Sequence, residues 1–233
     1  MKRLEELNSV NKVRINSVRS EAFRSYGRVI EGYDVSSLIR FMEENTSVPE
    51  QGNVYVASVP EMEAIIAADD TLASLSGGMP FQAGYCNGMN STYNGFEYHK
   101  AWEINIAVTD FMLALGHSWD ISADLSCYSV DQAEVFYVEK GSVIEMFGTT
   151  LHLSPLRTQD GGFKDIVLLP RGVNTPLMDA EKAARDKAFA GGDREARLLL
   201  QRGKWVISHP DREPLIKQGA WAGVLGENRE LFF

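Results

Sequence analysis

From residue 81 to residue 170 the chain is a succession of short β-branched, aromatic and aliphatic runs, none of them spaced as a helix. They fall at 81–86, 96–107, 111–115, 134–138, 143–146, 151–153 and 166–169. Gly88, Asn94-Gly95, Gly116, Lys140-Gly141, Gly148 and Gly161-Gly162 lie between or beside them as turn formers. Strands this short, with no helical run available to carry a crossover between them, predict an antiparallel sandwich or barrel. The fold class expected is mainly β.

The flanks differ from this centre. Residues 1–80 read as mixed α/β: a weakly helical start, a short strand near 29–30, a helix over 35–44 with Asp34 as its cap, a strand from Asn53, and a helix opened by Pro60. Residues 176–233 are helical and turn-rich, with Gly191-Gly192 breaking one helix from the next, Asp193 capping the second, and Trp205, Val206 and Ile207 as an edge strand. No repeat or linker intervenes, so one domain is expected over 1–233, with its β core at 81–175.

Composition narrows the partners. With 44% apolar residues the chain can bury a full core, and 23 Lys plus Arg against 32 Asp plus Glu leave a net charge of −9. A surface so acidic, without a separate basic patch, argues against nucleic acid and anionic membrane as partners. No apolar leader or membrane-length run is present, which leads us to expect a cytoplasmic protein. Cys86 and Cys127 are too few for a disulfide framework and are expected as buried thiols.

The chemistry concentrates in Gly95-Phe96-Glu97-Tyr98-His99-Lys100-Ala101-Trp102-Glu103. If this segment is extended, Glu97, His99 and Glu103 share one face, and Phe96, Tyr98 and Trp102 the other. A second histidine, His152, follows the Gly148 turn at the start of an apolar strand. Two imidazoles and two carboxylates suit a divalent Mn, Fe, Ni, Co or Zn ion, whereas all-oxygen sets favour Ca or Mg. Four protein ligands on a six-coordinate ion leave room to chelate a substrate.

These residues resemble the two signatures of the cupin superfamily: a glycine, H-x-H and a later glutamate, then a glycine turn and a histidine. Glu97 stands where the first histidine is usual, Phe147 where a proline is usual, and three residues rather than two separate Gly148 from His152. The resemblance implies Glu97, His99, Glu103 and His152 as metal ligands, and a cupin-type double-stranded β-helix, a jelly-roll barrel with helical decorations at both ends. Phe23-x-x-Tyr26-Gly27-x-Val29-Ile30 and the strand from Ala133 are similar to ureidoglycolate lyase and its bacterial relatives. The segment from Gly84 to Gly88 together with Glu97 to Lys100 resembles a bacterial family of unknown function.

Other residues are candidates for supporting roles. Tyr85, Asn87 and Asn90 occupy what reads as a polar, glycine-broken loop before the ligand strand and could contact substrate hydroxyls. Lys100 is kept as a substrate-side candidate although alternation turns it away from the ion. Glu97, Glu103, Glu134 and Tyr137 are the candidate catalytic groups, and only one of Glu134 and Tyr137 can point inward from their strand. No G-x-G-x-x-G or phosphate-binding loop accompanies them. The expected function is a metal-dependent enzyme acting on a small hydroxylated metabolite (a sugar, sugar phosphate or hydroxy acid) by isomerase, epimerase or lyase chemistry. The alternatives are an iron-dependent dioxygenase and a non-catalytic sugar-binding or regulatory cupin. A homodimer is expected from an exposed sheet edge and the aromatic tail at Trp221, Phe232 and Phe233.

Overall fold

A computed structural model describes residues 2–233. The N-terminal part runs α1 (Lys2–Val10), β1 (Ile15–Ser17), β2 (Gly27–Ile30), α2 (Ser36–Asn45), β3 (Asn53–Val56), α3 (Pro60–Ala67) and α4 (Asp70–Ala73). The central part contributes β4 (Phe81–Gly88), β5 (Gly95–Tyr98), β6 (Glu103–Ala107), β7 (Phe111–His117), β8 (Tyr128–Ser129), β9 (Glu134–Val138), β10 (Val143–Met146), β11 (Thr150–Leu151), β12 (Leu156–Arg157) and β13 (Phe163–Pro170). The C-terminal part adds α5 (Asp179–Ala190), β14 (Leu199–Gln201), β15 (Lys204–Ser208), α6 (Glu213–Lys217), β16 (Trp221–Ala222) and β17 (Val224–Leu225). No described helix is long and apolar enough to cross a membrane.

Two sheets carry the architecture. One has the order β2-β10-β6-β13-β4-β3 and is antiparallel throughout. The other has the order β1-β9-β7-β11, with β12 also on β7. They face each other across a core that includes Phe111, Leu113, Phe136, Met146, Phe163 and Val167. Alternation sends their neighbours the other way: Ile104, Ile106, Ile166 and Leu168 pack outward under α2, α3 and α4, where Leu38, Met42, Met62 and Ile66 are buried. Met112, Ala114, Val135 and Tyr137 likewise face a cluster formed with α1, β5, β15 and the C-terminal tail. Both faces of each sheet are thus covered, which explains why residues 111–115 read as apolar without a polar alternate.

Three expectations are corrected. The sheets are not hydrogen-bonded into a closed barrel: none of their strands is shared, and the chain turns between them, as at Val108–Asp110 between β6 and β7. The run 96–107 is two strands, β5 and β6, belonging to different sheets with a bend at residues 99–102. Residues 205–207 lie in no edge strand; β15 is paired with β14, β16 and β5. Of the two cysteines, both free, Cys86 is buried and Cys127 only half-buried.

The chain leaving β3 passes directly over Gly84. A Cβ at Gly84 would fall 1.8 Å from the Val56 carbonyl oxygen, a backbone atom that cannot rotate away. Gly84→Ala is therefore expected to destabilise the fold by about 1–3 kcal/mol, the cost of overpacking, read from urea unfolding. An unchanged midpoint would show that this crossover is not held in place.

Candidate metal centre

Glu97 and His152 are brought together by the backbone. They form an isolated antiparallel bridge, with Glu97 N–H donating to His152 O at 2.5 Å and His152 N–H donating to Glu97 O at 2.9 Å. His99 sits just beyond β5, and Glu103 opens β6 after the bend. Gly148 lets this bend pass, since a Cβ there would lie 3.0 Å from His99 O and 3.1 Å from Ala101 N. The four side chains are all buried.

Each imidazole is oriented from behind. His99 Nδ1–H donates to the carbonyl oxygen of Gly203 at 2.8 Å, and His152 Nδ1–H to that of Thr150 at 3.0 Å. A carbonyl can only accept, so in the neutral form of each ring the proton sits on Nδ1 and Nε2 presents its lone pair inward. Both Nε2 atoms aim at Glu103 Oε2, at 3.1 Å from His99 and 3.2 Å from His152. Glu97 Oε1 lies 3.9 and 4.0 Å from the same two nitrogens. His99 Nε2 and Glu97 Oε2 are buried without a hydrogen-bond partner, although Lys204 Nζ lies 2.6 Å from the latter, close but not aligned to donate.

This donor set fits a divalent ion. Lone pairs facing lone pairs need a cation or a proton between them. Ligands held about 2.1 Å from one ion at right angles stand about 3 Å apart, which is the spacing from Glu103 Oε2 to each imidazole. Glu97, His99 and His152 place their ligand atoms within 4.8 Å of one another. Without an ion, burial opposes the charge on both Glu103 and His152, yet mutual attraction prevails. Glu103 is held well below the usual carboxylate range by His152 and His99, and His152 is raised above the usual imidazole value by Glu103 and Glu97.

The centre opens into a cavity of about 260 Å³. On the inner face of β6, Glu103 is followed two residues on by Asn105, whose Nδ2 donates to Glu103 Oε1 and to Asp165 Oδ2, both at 3.1 Å. Asp165 is fully buried on β13 and its Oδ1 is unpartnered. Burial, and then the nearby Glu103 carboxylate, push its carboxyl well above the usual range. Lys204 and Arg212 also line the cavity, with Tyr55, Asn94, Ser154 and Asn174 among its polar groups.

Several sequence candidates stand elsewhere. Tyr85 and Asn87 belong to β4, not to a loop, and strand alternation turns them to the face opposite Cys86. There Tyr85 packs under the helices, and Asn87 Nδ2 donates to Thr46 Oγ1 and Ser47 O. Asn90 braces its own loop, donating to Thr92 O and Pro155 O. Lys100 is exposed, 2.5 Å from Glu195 and over the Trp205 ring. Glu134 is exposed at the start of β9 and accepts from Tyr26 Oη at 3.1 Å, while Tyr137 turns to the outer face and donates to Asp110 Oδ2 at 2.6 Å. Neither Glu134 nor Tyr137 lines the cavity. Lys204, Asp165 and Asn105 went unnoticed in the sequence; only the parity of Glu103 and Asn105 on one strand could have signalled any of them.

The chain matches, over residues 15–229, the model of a family described as a domain of unknown function, DUF4867, and belongs to that family. No curated protein matches it. Among solved structures, it is similar to an oxalate decarboxylase of Bacillus subtilis, studied for its Mn(II) centres, at a TM-score of 0.28 and 9% identity. That likeness covers 42% of this chain and 23% of the decarboxylase, so the chain spans about a quarter of that relative's length. Salicylate 1,2-dioxygenase from Pseudoaminobacter salicylatoxidans is similar at a TM-score of 0.30 and 9% identity, over 57% of this chain and 29% of that one. Vicilin of hazelnut, Corylus avellana, is similar at 0.27 and 15% identity, over 54% and 36%. Likeness at these scores carries no argument about reaction, and nothing in these matches supports the relation to ureidoglycolate lyase.

An ion and a proton compete for the same lone pairs. Because the pKa of His152 is raised in the metal-free protein, its protonated form persists to higher pH than free imidazole, and metal uptake must displace that proton. Titration of metal-free protein with Mn(II) is expected to release protons and to weaken as pH falls from 8 to 6. Calorimetry in two buffers of different ionisation enthalpy reads both effects, and buffer-independent heats at pH 6 would count against the centre.

Proposed function

We propose that this protein is a metal-dependent cupin-type enzyme acting on a small hydroxylated metabolite by proton-transfer chemistry, of the isomerase, epimerase or lyase kind. One observation carries the reading: two imidazoles, each held through Nδ1 by a backbone carbonyl, turn their Nε2 atoms onto two buried carboxylates. Glu97, His99, Glu103 and His152 would hold the ion. When bound, it supplies a Lewis acid for adjacent hydroxyl and carbonyl oxygens.

The protein's own groups supply the rest. Asp165, with its pKa raised by burial and Oδ1 facing no partner, is the group that exchanges a proton with substrate. It assumes the part that the sequence suggested for Glu134. Asn105, bonded to both Asp165 and Glu103, keeps the acid in register with the ligand carboxylate. Lys204 partly neutralises Glu97 and steadies it. Glu97, Glu103 and Asp165 are themselves buried, which strengthens each of these interactions.

A second reading has its own observation. Glu97, His99 and His152 form a two-histidine, one-carboxylate set, the arrangement suited to iron(II) and oxygen chemistry. Oxygen consumption by anaerobically iron-loaded protein separates the two readings.

Metal analysis of protein purified without chelator is expected to find about one Mn, Fe, Co, Ni or Zn ion per chain. His99→Ala and His152→Ala should each weaken metal binding by at least about tenfold, since losing even an outer partner of a ligand costs about 10–100-fold. Folded wild-type protein that takes up none of these ions when each is supplied would end the proposal.

A further inference from the structure

The charges lining the cavity point to the class of ligand that it takes. Its carboxyl groups are Glu97, Glu103 and Asp165, and its cations are Lys204 and Arg212. With a divalent ion at the centre the positive charges exceed the negative ones even if all three carboxyls are ionised. An uncompensated charge away from water is costly, and an anionic ligand relieves it.

Two further groups await a partner. Lys204 is engaged with Glu97, but among the described residues the Arg212 guanidinium has no hydrogen bond or ion pair although it lines the cavity. Asn174 donates from Nδ2 to Tyr55 Oη at 2.9 Å, while its Oδ1 is buried and unpartnered. That oxygen can only accept, so it calls for a donor such as a hydroxyl. A cavity of about 260 Å³ lies just under the roughly 300–1,000 Å³ of drug-sized sites.

Building on the metal-dependent reading, we infer that the substrate is a small polyhydroxylated anion, whose carboxylate or phosphate is held by Arg212 and whose hydroxyls reach Asn174 and the ion. The guanidinium presents a planar fork of donors to either anionic group, and a hydrogen bond to a charged partner is worth about tenfold or more in affinity. Arg212 lies beside α6, outside the two main sheets, so this selectivity comes from the C-terminal segment.

The test measures, by calorimetry on metal-loaded protein, the binding of three probes of one carbon skeleton: gluconate, glucitol and glucitol 6-phosphate. One of the anionic probes is expected to bind at least about tenfold more tightly than neutral glucitol, and which one names the anionic group. Arg212→Gln should abolish that preference and Arg212→Lys should retain part of it, with metal content unchanged in both. Equal affinity for glucitol, an undiminished preference in Arg212→Gln, or binding of none of the three overturns the inference. Metal content measured on the same samples separates the two failures: a loaded protein without anion preference defeats this inference alone, and a protein that takes no metal defeats both.

Discussion

Two imidazole nitrogens and two carboxylates aimed at one small buried volume repel unless something positive lies between them, and most of the surrounding structure serves to keep them there. The Gly203 and Thr150 carbonyls fix the tautomers of His99 and His152. The backbone bridge between Glu97 and His152 sets two of the side chains next to each other before any side-chain contact is considered. Asn105 and Lys204 occupy the carboxylate oxygens that face away from the histidines. Such a cluster costs stability in the absence of a cation, because each buried charge has lost its water.

The C-terminal segment is structural to this centre. β15 pairs with β5 along Glu97, Gly203 just before it holds His99, and its first residue, Lys204, meets the Glu97 carboxylate. Arg212 extends the same segment to the cavity wall. A ligand strand that belonged to either main sheet would be positioned by that sheet alone; β5 is instead clamped between a C-terminal strand and the bridge to His152. The centre therefore forms only when regions about a hundred residues apart in the chain have come together, and loop closure over that distance is paid for by the layers of apolar contact on both faces of the sheets.

Much of this was legible beforehand. The short strands, the helix over 35–44, Pro60 opening α3 and the Gly191-Gly192 break all follow from local preferences, since a turn glycine or a helical repeat acts on its nearest neighbours. Glu97, His99, Glu103 and His152 stand out by residue type in a strand-rich region, and the structure gathers them around one space. Parity within one extended strand cannot operate across the bend at 99–102, and the ligands meet because two strands of different sheets are folded toward each other.

What pattern and composition determined on their own was a mainly β chain with helical flanks and a set of histidines and carboxylates in its strand-rich centre, because those properties are written in residue type and short-range spacing. Tertiary structure decided which face of each strand is inside. Cys86 and Asp165 line the cavity, whereas Tyr85, Asn87, Glu134 and Tyr137 do not. It also decided that Lys204 and Arg212 border the cavity. Both decisions depend on which strands become neighbours, and strand pairing is a long-range choice made by burial of whole faces rather than by any single residue.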